Sequence, residues 1–122
     1  MSAADGTSFV AIDVETANAD MTSICQIGLV HYRDNELVDT WKTYVDPRDY
    51  FDSFNVNLHG IDESTVAGAP TFPGIADELS DRLEHQVVVA HTHFDRVALE
   101  RAASRFQTRG PVCTWLDSAR IA

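Results

Sequence analysis

The sequence predicts an α/β fold built on one mixed β-sheet. Three strand-like runs fill the first third of the chain, with connections short enough to impose antiparallel pairing. The second half alternates helical spacing with short β-branched runs, the pattern of parallel strands joined by crossover helices. A length of 122 residues supports one domain with its own core, not two.

Residues 1–8 are expected to form a flexible lead-in, and the domain to occupy 9–122. Met1 to Thr7 lacks the basic-then-apolar order of a secretory signal. Phe9-Val10-Ala11-Ile12 is apolar without interruption, which predicts a strand buried on both faces that runs on through Asp13-Val14-Glu15-Thr16. Thr16 to Ser23 is polar, with Asn18 and Asp20, and makes a turn or loop. Ile24 to Tyr32 is a second strand, Arg33-Asp34-Asn35-Glu36 a turn, and Leu37 to Val45 a third strand, together an antiparallel meander. Asp46-Pro47 ends it, a loop reaches Asn57, and Asp62 to Val66 forms a brief helical turn. Pro70 to Glu84 has Phe72, Ile75, Ala76, Leu79 and Leu83 on one helical face. Gln86 to Ala90 is a fully buried strand, and His93 to Phe106 a helix with Phe94, Val97, Ala98, Ala102 and Phe106 inward. Gly110-Pro111 interrupts the chain, Val112 to Leu116 is the last strand, and Asp117 caps a further helix.

Composition excludes several classes of function. No apolar stretch approaches the roughly 20 residues that span a bilayer. Cys25 and Cys113 stand far apart in apolar contexts, matching neither a disulfide framework nor a zinc site, and are expected to be buried reduced thiols of a cytoplasmic protein. The net charge of −10 argues against a module gripping nucleic acid through phosphate contacts alone. It leaves room for an enzyme that meets nucleic acid through bound cations.

The chemistry concentrates where the first strand ends. Asp13 and Glu15 are two residues apart, so both side chains leave the same face of the strand. Paired carboxylates there repel each other and resist desolvation unless a cation neutralises them. Hard oxygen ligands suit Mg²⁺ or Mn²⁺. A third acid, Asp95, falls in the first turn of the helix after the buried strand, at the strand-end region where α/β folds bind ligands. Structural roles offer the competing account: a strand end entering a turn, and an acid favoured by a helix dipole.

Ala11-Ile12-Asp13-Val14-Glu15-Thr16, Leu58-His59-Gly60-Ile61-Asp62 and Ala90-His91-Thr92-His93-Phe94-Asp95 occur in that order, and together the chain resembles the DnaQ-like exonucleases. These form the DEDD superfamily with an RNase H-like fold, and the likeness is to relatives of the proofreading epsilon subunit of DNA polymerase III. In the last segment the family commonly has His-Asn-x-x-Phe-Asp, whereas His91 is one residue nearer the acid and the Asn is absent. The family's third motif, a His followed five residues later by an Asp, is not found, and no His lies beyond His93.

The resemblance implies a 3′–5′ exonuclease acting on terminal phosphodiesters of DNA or RNA in proofreading, repair or nucleic-acid turnover. Two divalent ions, Mg²⁺ or Mn²⁺, would be held by Asp13, Glu15 and Asp95, with Val14, Thr16, His59 and Phe94 as substrate contacts. It implies partners of two kinds, single-stranded 3′ ends and DNA polymerase III or repair proteins. A chain lacking the third motif and the last helices is expected to be weakly active or inactive. Its uncovered strand residues, such as Val10, Ala11 and Ile12, would favour self-association. The alternative is a non-catalytic exonuclease-fold module serving a polymerase or repair assembly.

Overall fold

The computed structural model describes residues 8–117 and places the meander as expected: β1 (Ser8–Thr16), β2 (Ile24–Arg33) and β3 (Glu36–Tyr44). β1 and β2 pair antiparallel from Ser8↔Arg33 to Thr16↔Ile24, with a slip of register between Glu15 and Thr16. The β2–β3 hairpin turns on Asp34 and Asn35, both at positive φ (53° and 67°), which these two residue types tolerate best after glycine. β4 (Val87–Ala90) lies parallel to β1 and β5 (Thr114–Asp117) parallel to β4, giving the order β3-β2-β1-β4-β5. This mixed five-stranded sheet with flanking helices is the predicted fold class.

A short helix, α1 (Ser53–His59), precedes the two crossover helices α2 (Phe72–Leu83) and α3 (Phe94–Arg105). Both crossovers move the same way across the sheet, so a right-handed path puts both on one face. There Val10, Ile12 and Val14 of β1, Ile27 and Leu29 of β2, and Val88 of β4 meet Ile75, Leu79 and Leu83 of α2 and Ala98, Leu99 and Ala102 of α3 in one buried cluster. Among the described residues no helix is long and apolar enough to cross a membrane.

Several expectations need correction. β1 is not buried on both faces: Val10, Ile12, Val14 and Thr16 are buried, while Phe9, Ala11 and Glu15 are half-buried and Asp13 is exposed. β4 alternates likewise, with Val88 and Ala90 buried between half-buried Val87 and Val89. With both crossover helices on one face, the other keeps only partial cover, and apolar residues there shield one another, as Phe9 stacks on Tyr32 at 5.0 Å. Val10 and Ile12, expected to lose their cover, are therefore among the best protected residues, and the open face belongs to the alternate set.

α1 replaces the loop expected up to Asn57. Asp52 caps it by accepting the Phe54 N–H at 2.9 Å, and Gly60, at φ 77°, closes it with its N–H on the Val56 carbonyl at 2.7 Å. The brief helical turn expected at Asp62 to Val66 is present, with the Thr65 and Val66 N–H groups on the Asp62 carbonyl. In α3 the buried side chains are Asp95, Ala98, Leu99, Ala102 and Ala103, rotated from the expected stripe, and Phe94, Val97 and Phe106 are only half-buried. Ser8 belongs to β1 rather than to the lead-in, Val112 precedes β5, and Cys113 is only partly buried. Asp117 is the last residue of β5, paired with Ala90, rather than a helix cap. The expected lead-in over 1–7 and helix after Asp117 lie outside the described residues.

Candidate active site

The site begins where parallel pairing stops. β1 pairs with β4 only at Val10↔Val88 and Ala11↔Val89, so further along β1 the side toward β4 has no strand partner. The chain leaves β4 through exposed His91, Thr92 and His93 and enters α3, which brings Asp95 to that gap. The Val14 N–H donates to Asp95 Oδ1 at 2.8 Å, a buried bond between residues 81 apart in sequence. A carboxylate thus takes over the role of the missing strand and fixes α3 to β1.

Asp13 and Glu15 flank Val14 on the other face of β1, as the spacing predicts. All three carboxylates line one open cleft of about 490 Å³, and they sense one another's charge. Burial pushes Asp95 up to about 6; the Val14 N–H counters this, and Asp13 and Glu15 add to the rise. Glu15 is raised by burial first and by Asp13 second, with His59 opposing. Among the described residues no group of three or more His, Cys, Asp and Glu side chains stands arranged to hold a metal ion. The three acids thus share a cleft without forming a closed ligand cage among the described residues, and Asp95 is turned onto the Val14 amide.

His59 lines the cleft, and its ring is fixed. The Ile61 N–H can only donate and does so to Nδ1 at 3.0 Å; the Thr16 carbonyl can only accept and takes the Nε2 proton at 2.8 Å. The imidazole is thus held as the Nε2–H tautomer with both nitrogens engaged, a wall and tether rather than a free base. Cys25, whose Sγ lies 4.0 Å from Nε2, is wholly buried, and burial pushes its thiol up to about 12, so it stays an inert thiol. Thr16 lines the cleft but is only 7 % exposed, so its buried side chain offers little surface to a substrate. Phe94 and His91 also line the cleft, and His91 is exposed.

Sequence reasoning missed the far wall, because it missed α1. Phe54 and Leu58, 72 % and 70 % exposed, stand one turn apart at the rim, and Asn18 and Asn55 lie behind them. The signal was present as two caps, Asp52 and Gly60, around pairs spaced four apart, Phe54 with Leu58 and Asn55 with His59. A slightly larger hollow of about 540 Å³ lies beside β5 and α3, but there the charges of Arg96 and Glu100 already pair at 3.1 Å. Size alone does not choose the site.

A family model described as an exonuclease, RNase_T, matches residues 10–120. The chain is 36% identical over 90 residues to a PolC-type DNA polymerase III of Caldanaerobacter subterraneus subsp. tengcongensis, covering 71% of this chain and 6% of that protein. It is 29% identical over 97 residues to the 3′-5′ exonuclease DinG of Staphylococcus aureus, covering 77% and 11% respectively. The chain thus spans only a small part of the curated relatives it matches. Among solved structures, exonuclease X in complex with 5′-overhanging duplex DNA superposes with a TM-score of 0.66 at 22% identity, over 89% of this chain and 58% of that one. Product-bound exonuclease I gives 0.80 at 11% identity, over 94% and 30%. At these identities the structural likeness shows the fold.

Proposed function

The chain belongs to the RNase_T exonuclease family, within the DnaQ-like superfamily its motifs resemble, and from that premise we propose that its cleft is a metal-dependent 3′–5′ exonuclease site. Asp13, Glu15 and Asp95 are the proposed catalytic carboxylates and metal ligands, and DNA or RNA 3′ ends the proposed substrates. Service in proofreading or repair, beside a polymerase, is the role that the PolC and DinG relatives suggest.

The observation that carries the reading is the gathering of three carboxylates in one cleft. Asp95 is 6 % exposed and held by the Val14 N–H, and it shares its cleft with two further carboxylates that raise its affinity for a proton. A hard divalent cation relieves all three, and an all-carboxylate set suits Mg²⁺ or Mn²⁺. When bound, a pair of such ions supplies Lewis-acid stabilisation of the phosphoryl oxygens and lowers the pKa of water. The Val14 N–H holds Asp95 in orientation. Phe54 and Leu58 offer apolar surface to a terminal base, since stacking on such surfaces is tolerant of sequence. His59 and Phe94 complete the wall.

The 122 residues hold no His after His93, and His59 has both nitrogens engaged. His91 lines the cleft but is exposed and is oriented by no hydrogen bond among the described residues, so a water attacking the terminal phosphate lacks a positioned imidazole base among them, which slows hydrolysis by about 10²–10⁴-fold. The test is incubation of a 5′-labelled single-stranded oligonucleotide with the chain in Mg²⁺, Mn²⁺ or EDTA. Slow, metal-dependent loss of one nucleotide at a time from the 3′ end is expected. Internal cleavage, or equal hydrolysis in EDTA, would refute the proposal. Oligonucleotide binding without trimming in any metal, by this chain and by a longer protein containing it, would favour a non-catalytic module.

A further inference from the structure

α1 forms one wall of the cleft, yet it has no buried residue, and seven residues are too few to make a helix stable alone. Core packing therefore does not decide where it sits. Polar contacts with the end of β1 do. Asn55 Nδ2 donates to the Thr16 carbonyl at 3.1 Å, and His59 Nε2 donates to the same oxygen at 2.8 Å. The two residues are four apart and leave the same side of the helix. Their shared acceptor follows Glu15 directly, at the point where the β1–β2 register slips. His59 is also tied to Ile61, so it secures the C-terminal end of α1. Asn55 supplies the side-chain bonds to the end of β1 from the first turn of α1 among the described residues, reinforced by the Asp52 N–H on the Ala17 carbonyl at 2.9 Å.

We infer that Asn55 is a positioning residue: by holding α1 to the Thr16 carbonyl it sets the gap between the exposed Phe54 and Leu58 and the carboxylates Asp13 and Glu15. The role needs an amide. A carboxylate here would set acceptor against acceptor and add charge to an acidic cleft; leucine fills a similar volume with no donor; glutamine keeps the donor. The inference rests on the cleft being a nucleotide site.

The experiment compares wild type, Asn55→Leu and Asn55→Gln by amide hydrogen exchange and by titration with a fluorescent single-stranded oligonucleotide in Mn²⁺. In Asn55→Leu the amides of Val56 and Gly60, which donate to the Asp52 and Val56 carbonyls, should exchange about tenfold faster, with β1 and β2 unchanged. Oligonucleotide affinity should fall about tenfold while Mn²⁺ affinity alone stays within about twofold, as expected when the wall is loosened and the metal ligands are not. Asn55→Gln should restore both. Wild-type exchange at Val56 and Gly60 in Asn55→Leu, or faster exchange throughout the sheet, would overturn the inference, as would unchanged oligonucleotide affinity beside a loosened helix. A wild-type chain that binds no oligonucleotide would overturn the functional reading itself, and the exchange comparison would still decide whether Asn55 mounts α1.

Discussion

Asp95→Asn should make the metal-free protein more stable at pH 8 by about 3 kcal/mol while removing its metal-dependent activity. Asp95 is almost fully buried and is pushed from 3.8 up to about 6, chiefly by burial. The folded state therefore holds this proton more tightly than the unfolded state does. The stability the neutral carboxyl contributes is complete below about pH 3.8 and is lost as the pH rises through about 6. A shift of about two units corresponds to about 3 kcal/mol, a large share of the roughly 5–15 kcal/mol that holds a domain folded. Asparagine keeps the Oδ1 acceptor that the Val14 N–H needs and removes the charge. Urea unfolding in EDTA at pH 5 and pH 8 measures the effect. Wild type should lose stability across that interval through this residue, and Asp95→Asn should lose less. Equal stability of the two proteins at pH 8 would show that the burial penalty is already relieved.

Asp13→Asn should separate activity from folding in the opposite way. Asp13 is exposed and makes no hydrogen bond or ion pair among the described residues, so the substitution should change stability by less than about 0.5 kcal/mol. Loss of a shared metal ligand removes several kcal/mol of transition-state stabilisation, and about 4 kcal/mol is about 10³-fold in rate. Trimming of the labelled oligonucleotide should drop to background while the unfolding midpoint holds. Retained trimming would remove Asp13 from the site. A collapse of stability would show instead that the residue supports the fold.

The acids were legible because their signals are local. A two-residue spacing on a strand fixes the shared face of Asp13 and Glu15, and an acid in the first turn of a helix after a buried strand marks Asp95. What escaped depends on distant partners. The apolar runs of β1 and β4 gave no sign of which face the helices would cover, because Val, Ala and Ile serve a covered or an open face equally well. The buried stripe of α3 is rotated from the apolar spacing because Asp95, bonded to the Val14 amide, faces inward together with Ala98, Leu99, Ala102 and Ala103. α1 was hidden because it buries nothing, so hydrophobic periodicity had nothing to report, and only its caps and its two tethers to Thr16 reveal it. The tether role of His59 was hidden with it, while another expected substrate contact, Thr16, is turned inward because alternation places it on the core side.

The central claim is that Asp13, Glu15 and Asp95 act together on divalent cations, and Mn²⁺ titration followed by electron paramagnetic resonance tests it most directly. Wild type at pH 7.5 should bind Mn²⁺ in competition with Mg²⁺, and Asp13→Asn and Asp95→Asn should each weaken that binding by at least about tenfold, as loss of one ligand from a shared site requires. Mn²⁺ binding that is absent from wild type, or that survives both substitutions unchanged, would contradict it.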